Sequence, residues 1–173
     1  VPDDAPVEPF IKEEIELLIK ACDFSEEAET NRRRKFGMQR STSKRDKAII
    51  LTLLDTGLRA GELCALRVED VDMKTGKIRI RPGDAGKAKG GKGRVVFMGK
   101  SARRFLWRYL ADREDGEDPE APLFIGKFHK PFNRDALRQL INYLGAKAGI
   151  KKCHPHRFRH TFAITYLRSG GDI

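Results

Sequence analysis

The sequence is poor in the features that mark secreted, zinc-binding and membrane proteins. Among 173 residues there are three cysteines, Cys22, Cys64 and Cys153, an odd number without metal-site spacing, so a reducing compartment fits best. No apolar run approaches the roughly 20 residues of a membrane span. No secretion signal is recognisable either. We therefore expect a cytoplasmic protein without a membrane partner.

Acidic charge is the minority sign. The 35 Lys and Arg residues exceed the 25 Asp and Glu residues, giving a formal net charge of +10, and the segment 112–120 (DREDGEDPE) holds six of the acids. A surface this basic attracts polyanions, of which nucleic acid is the commonest. A basic protein whose lysines are only solvated would explain the same net charge about equally well.

Hydrophobic periodicity predicts an α+β fold, a mainly α-helical domain with a small antiparallel β-sheet of about three strands. Helices are predicted over residues 10–22, 44–56, 60–66, 102–113, 134–148 and 154–168. Strands are predicted over 77–81 and 94–98, with a third near 70–73. We expect Gly57 to end the second helix, and Ser101 and Asn133 to cap the helices that follow them.

A first chemical motif is the segment 56–63, TGLRAGEL. Arg59 lies on a turn between glycines, where a guanidinium can bind an anion through two hydrogen bonds. Glu62, three residues later, can hold that guanidinium in place. The alternative is an ordinary corner between two helices with a surface arginine.

A second motif is a glycine-rich turn between the strands, which carries Lys87, Lys89, Lys92 and Arg94. A hairpin tip of this composition can enter a DNA groove, because glycine allows the backbone to approach closely. A solvated hairpin explains the pattern equally well. The basic run 32–35 predicts no more than non-specific phosphate contact or solvation.

A third motif is the segment 154–160, HPHRFRH, at the start of the last helix. His156 and Arg159 are three residues apart and share a helix face, with His160 one turn beyond His156. An imidazole beside a guanidinium suits a phosphate group. We expect no metal here, because the neighbouring arginines repel a cation. A basic helix face is the alternative.

Together, TGLRAGEL, KGGKGRVVFMG and HPHRFRHTFA, in this order, strongly resemble the catalytic domain of tyrosine recombinases, the phage-integrase family, and in particular its Xer-like members. The resemblance covers residues 11–173, although Phe97 stands where the family has proline. It implies four catalytic residues: Arg59, Lys89, His156 and Arg159. It leaves Lys87 and Lys92 as alternative lysines and gives Glu62 and His160 supporting roles. The DNA-binding residues it implies are Arg59, Lys87, Lys89, Lys92, Arg94, His156, Arg157 and Arg159.

The chemistry implied by the resemblance is DNA cleavage and rejoining through a 3′-phosphotyrosyl intermediate. Arg59 and Arg159 would neutralise the phosphate oxygens, Lys89 would protonate the leaving 5′ oxygen, and His156 would assist proton transfer. Energy is conserved in the covalent bond, so no cofactor, metal or ATP is expected.

The family nucleophile should lie further along than the 14 residues that follow Arg159. Tyr109, Tyr143 and Tyr166 each fit an apolar helical pattern, and Tyr166 is too close to Arg159. We therefore expect residues 1–9 to be an interdomain linker remnant, and 10–173 to be a catalytic domain lacking its C-terminal segment.

We expect this fragment to be a monomer that binds double-stranded DNA without cleaving it. The full-length protein is expected to form a homotetramer on DNA and to associate with the nucleoid. Two alternatives are a type IB topoisomerase-like enzyme and a non-catalytic DNA-binding module of the same fold. A metal-dependent nuclease is disfavoured, since no carboxylate cluster is present.

Overall fold

Six helices and two antiparallel strands make up the part of the chain that the structure, a computed structural model, describes, namely residues 6–25, 39–83 and 92–171. The helices are α1 (Lys12–Ala21), α2 (Ser43–Thr56), α3 (Ala60–Ala65), α4 (Lys100–Ala111), α5 (Arg134–Lys147) and α6 (Pro155–Arg168). The strands are β1 (Lys77–Ile80) and β2 (Arg94–Phe97), and short 3-10 turns lie at Val68–Asp70 and Lys127–His129. The predicted α+β class is confirmed. None of the described helices is both long and apolar enough to cross a bilayer.

Helix α2 is the central element of the core. Its apolar residues Ile49, Ile50 and Leu53 are fully buried, and the helix packs against both α4 and α6. The helix ends where Gly57 takes a left-handed conformation, with φ of 62°, and donates its N–H to the carbonyl of Leu53 at 3.0 Å. Glycine adopts this conformation without steric cost, so the predicted stop is confirmed.

The sheet is smaller than expected. Strands β1 and β2 pair in the register Ile78↔Val96, and the predicted alternation is present, with Ile78 and Ile80 buried. The expected third strand near 70–73 is reduced to one bridge, Val71↔Ile78. The extended run is too short because it follows a 3-10 turn, and because Asp72 then accepts backbone hydrogen bonds from Lys74 and Thr75 to form the next turn.

Of the two predicted N-caps, the one on α5 is present and the one on α4 is not. Asn133 caps α5 by accepting a hydrogen bond from the backbone N–H of Ala136 at 2.7 Å, as expected. The prediction that Ser101 caps α4 is wrong, since that helix begins at Lys100 and its N-cap is Gly99. The N–H of Gly99 donates to the Asp55 carboxylate at 2.7 Å, a contact between distant residues that sequence spacing does not reveal.

The amino-terminal segment is attached to α6. The N–H of Phe10 donates to the Thr161 hydroxyl at 2.9 Å, and the Phe10 ring lies 4.7 Å from that of Phe158, centroid to centroid. These contacts hold α1 beside the helix that carries the HPHRFRH motif. The predicted domain boundary at residue 9 stays a prediction.

Substitution of Gly57 by alanine should destabilise the fold in two ways. A Cβ there would lie 2.3 Å from the Phe162 ring and would have to adopt φ of 62°. We expect the free energy of unfolding to fall by more than about 2 kcal/mol, the sum of backbone strain and overpacking. Urea denaturation measures the loss.

The matched control is Gly149→Ala. Gly149 has a similar φ of 71°, but a Cβ added there would meet nothing within 4 Å. It should therefore lose only the backbone contribution, about 1 kcal/mol. Equal losses for the two variants would show that Phe162 does not constrain the end of α2.

Candidate functional site

An open hollow of about 490 Å³ lies where the turn after α2 meets the start of α6. The first chemical motif contributes Arg59 with its neighbours, and the third contributes His156 and Arg159. Three of the four predicted catalytic residues therefore line one cavity, although Arg59 is about a hundred positions from His156 and Arg159 in the chain. The residues that line it are Leu58, Arg59, Ala60, His154, Pro155, His156 and Arg159.

Local contacts within residues 52–59 form the turn that carries Arg59. The Thr56 hydroxyl donates to the carbonyl of Thr52 at 2.6 Å and closes the last turn of α2. Gly57 then reverses the chain, and Leu58 inserts into the core with 1% of its surface exposed. Arg59 follows in an extended conformation as the N-cap residue of α3, and its side chain is 55% exposed.

Glu62 lies behind Arg59 as a fully buried carboxylate. It accepts a hydrogen bond from the backbone N–H of Arg59 at 2.9 Å and two from the Arg94 guanidinium, at 2.6 and 2.7 Å. Burial opposes the charged form, but the bonds from Arg94 and Arg59 outweigh it and lower the pKa of Glu62. Glu62 is therefore a carboxylate beside Arg59, and its supporting role stays a prediction.

Arg159 reaches the same turn from α6. Its Nη1 donates to the carbonyl oxygen of Gly57 at 2.8 Å. Burial lowers the pKa of Arg159, and the positive charge of Arg59 lowers it further. Among the described residues Arg159 has no ion pair, and Arg59 has only a 3.4 Å contact with Glu62. Two guanidiniums that repel each other across a hollow form a site for an oxyanion.

The histidines at the start of α6 have different roles. His154 is the N-cap residue, and its Nδ1 accepts a hydrogen bond from the backbone N–H of Arg157 at 3.3 Å. Burial lowers the pKa of His154, and the nearby His156 and Arg157 add to the effect. His156 is exposed at the hollow with its ring 6.5 Å from that of His154. His160 is half-buried one turn further along α6.

One residue expected to contact DNA, Arg157, lies inside the fold. Arg157 is 7% exposed, and its guanidinium donates to the carbonyls of Glu8 and Lys151 and to the Glu14 carboxylate. It also stacks on the ring of Phe10, 4.1 Å from the centroid. The guanidinium thus has partners within the fold and fastens α1 to α6, and its contact with DNA stays a prediction.

The hairpin residues are only partly described. Lys87 and Lys89, and the basic run 32–35, lie outside the described residues. Lys92 is described and exposed. Arg94, which we expected to contact DNA, directs both terminal nitrogens of its guanidinium at Glu62.

Sequence reasoning missed one residue at the hollow and one close contact beside it in α3. His154 lines the hollow in addition to capping α6. The Arg134 guanidinium lies across α3, where a Cβ on Gly61 would come within 2.5 Å of its Nη2. Small residues can mark close approaches of this kind, but no pattern in the sequence links Gly61 to a helix start more than seventy positions away.

The fold and the hollow define a protein with a guanidinium-lined site suited to an oxyanion. Residues 11–173 match the family model of the phage integrase family. Tyrosine recombinase XerC of Thermodesulfovibrio yellowstonii is 35% identical over 139 residues, which covers 76% of this chain and 44% of that protein. Tyrosine recombinase XerA of Saccharolobus solfataricus is 38% identical over 129 residues, covering 75% and 39%. The chain therefore belongs to the phage integrase family, and it spans less than half the length of these relatives.

Solved structures agree on the fold. A crystal structure of XerA recombinase matches with a TM-score of 0.74 and 32% identity, over 99% of this chain and 53% of that one. The Tn1549 transposon integrase in complex with transposon right end DNA matches with a TM-score of 0.73 and 21% identity, over 99% and 57%. The helices and the small antiparallel sheet are thus those of a tyrosine recombinase catalytic domain.

The lowered pKa of His154 predicts how stability depends on pH. In the folded state His154 resists protonation, whereas in the unfolded chain it titrates near its usual value of about 6.5. Its contribution to the free energy of unfolding is therefore present above about pH 6.5 and lost as the pH falls through the lower folded-state pKa. We expect His154→Asn, which keeps a capping oxygen, to flatten this dependence between about pH 7 and 5.

Chemical denaturation at several pH values measures the effect. The wild-type chain, measured over the same pH range, is the reference. An unchanged slope in His154→Asn would show that His154 is not what couples folding to protons.

Proposed function

We propose that this chain is the catalytic domain of a site-specific DNA recombinase, and that its hollow binds the scissile phosphate of double-stranded DNA. The observation that carries the proposal is the placement of Arg59 and Arg159 at one cavity, with His156 beside them. The relatives named tyrosine recombinase XerC and XerA support the reaction class. The Tn1549 integrase complex with transposon DNA, which has the same fold, supports DNA as the partner.

In the proposed reaction a tyrosine hydroxyl attacks the phosphorus and a 3′-phosphotyrosyl bond replaces the bond to the 5′ oxygen. Negative charge grows on the non-bridging oxygens in the transition state. Arg59 and Arg159 neutralise it with donors that are already in position, so little reorganisation is needed. His156, exposed at the same hollow, donates a hydrogen bond to the phosphate or moves a proton.

A hairpin lysine protonates the leaving 5′ oxygen in this scheme. The family interval favours Lys89, with Lys87 and Lys92 as alternatives. Lys92 has one structural argument in its favour, because it lies two residues before Arg94, which is bound to Glu62 behind Arg59. Two extended residues span about 7 Å, which a lysine side chain can bridge. Single alanine substitutions at Lys87, Lys89 and Lys92 show which of the three lysines protonates the leaving 5′ oxygen, because only one of them removes that proton donor.

We also propose that none of the three tyrosines in this chain is the nucleophile. Tyr109 is buried and its hydroxyl accepts the N–H of Ile125 at 3.0 Å. The Arg40 guanidinium covers the ring of Tyr143 on α5, 5.0 Å from its centroid. Tyr166 stacks on Phe162 on α6, at 5.8 Å between centroids, and neither Tyr143 nor Tyr166 lines the hollow. The full-length protein would supply the tyrosine and would act as a homotetramer on DNA.

The hollow should account for part of the DNA affinity. We expect a duplex to bind with an affinity that falls steeply as salt rises, and Arg159→Ala to reduce the slope of log K against log salt by about 1, because one phosphate contact is lost. Fluorescence anisotropy between about 50 and 200 mM salt measures this. Arg79→Ala, an exposed cation on β1, is the control, and an equal reduction there would mean that the hollow is not the phosphate site.

The nucleophile proposal has a direct test. The 173-residue chain, incubated with a nicked DNA substrate that traps cleaved intermediates, should form no covalent adduct on a denaturing gel. The physical reason is that Tyr109 is buried, and that Tyr143 and Tyr166, although exposed, do not line the hollow. An adduct that disappears in Tyr166→Phe would assign the nucleophile to α6 and contradict the proposal.

A further inference from the structure

We propose that Arg94 is a positioning residue: by occupying the carboxylate of Glu62 it leaves the Arg59 guanidinium available to an oxyanion. The inference rests on the proposed function, in which Arg59 binds the scissile phosphate. It gives Arg94 a role other than the DNA contact expected from its place next to the hairpin turn.

The geometry around Glu62 is a competition between two arginines for one carboxylate. Arg94 donates to Oε1 at 2.6 Å and to Oε2 at 2.7 Å, the two-pronged arrangement that is strongest for this pair. The backbone N–H of Arg59 donates to Oε2 as well, at 2.9 Å. The Arg59 guanidinium is left with a single 3.4 Å contact to Oε1. Both carboxylate oxygens are thus already bound at short distance by groups other than the Arg59 side chain.

Removal of Arg94 would change the preferred partner of Glu62. The Glu62 side chain is 0% exposed, and a buried carboxylate without a cation is strongly unfavourable. The cation placed to replace Arg94 is Arg59, three residues earlier in the chain and already in contact. Closing that 3.4 Å contact would turn the Arg59 guanidinium back toward α3 and away from the hollow.

Arg94 also connects the hairpin to the site. It is the first residue of β2, and Lys92 precedes it by two positions. Its charge is one of those that lower the pKa of Arg159, so it belongs to the same electrostatic cluster. The Arg94–Glu62 pair therefore fixes the base of the lysine-bearing turn to the segment that presents Arg59.

The decisive comparison is between Arg94→Gln and the double variant Glu62→Gln with Arg94→Gln, both in the 173-residue chain. Arg94→Gln leaves a charged Glu62 that captures Arg59, so we expect duplex affinity at low salt to fall about tenfold. The double variant removes the charge that captures Arg59, while the introduced amide keeps an acceptor for the Arg59 N–H. Its affinity should return to within about threefold of the wild type. The matched control is Arg79→Gln, which removes one exposed charge from the neighbouring strand and should cost less than about threefold.

A second measurement reports on Arg59 without DNA. The Nε–H resonance of Arg59, assigned by NMR, should sharpen and shift in Arg94→Gln as the side chain becomes held by Glu62, and should return toward the wild type in the double variant. If Arg94→Gln does not fold, Arg94→Lys is used in its place: lysine keeps a charge for Glu62 but frees one carboxylate oxygen, so a smaller shift of the Arg59 resonance in the same direction is expected, and no shift would overturn the inference.

The outcomes separate the two proposals. Equal loss of affinity in Arg94→Gln and in the double variant would mean that Arg94 itself contacts DNA and would overturn this inference while the proposed function stands. Unchanged affinity in Arg94→Gln would also overturn it. If duplex binding does not depend on Arg59 or Arg159 at all, the proposed function fails, and the Arg59 resonance still decides whether Arg94 controls that side chain.

Discussion

The hydrogen bond from Arg159 to the carbonyl of Gly57 is the contact on which the site depends. It joins residues 102 positions apart in sequence and unites the turn after α2 with the first turns of α6. It forms because Gly57 ends α2 in a left-handed conformation, which leaves a carbonyl open, and because Phe162 packs directly against that glycine. Without this junction Arg59 and Arg159 would be two unrelated surface arginines.

Bringing like charges together costs free energy, and the arrangement around Glu62 limits that cost. Glu62 supplies one buried negative charge beneath three guanidiniums, those of Arg59, Arg94 and Arg159. One carboxylate does not neutralise three cations, so the cluster keeps a positive charge at the opening of the hollow. An incoming oxyanion would remove that remaining repulsion, which is the physical reason that the proposed function places a phosphate there.

Three arginines in this part of the fold have different roles. Arg157 fastens α1 to α6 from within the core, Arg159 faces the hollow, and Arg94 holds the carboxylate that supports Arg59. A helix turn explains part of the division, because Arg157 and Arg159 are two residues apart and project in directions about 200° apart. The rest follows from the partner that each side chain meets: an acid on α1, a carbonyl after α2, or a buried glutamate.

The sequence by itself determined the element types, the end of α2 at Gly57, the cap of α5 at Asn133 and the candidates Arg59, Glu62, His156 and Arg159, because these signals are local or lie in short motifs. It could not determine that Ser101 does not cap α4, since the competing bond comes from Asp55, forty-four residues before Gly99. It also could not reveal that Arg157 is buried or that Arg134 lies across Gly61. Those outcomes depend on which distant groups meet in the folded chain, and that is decided by packing rather than by spacing.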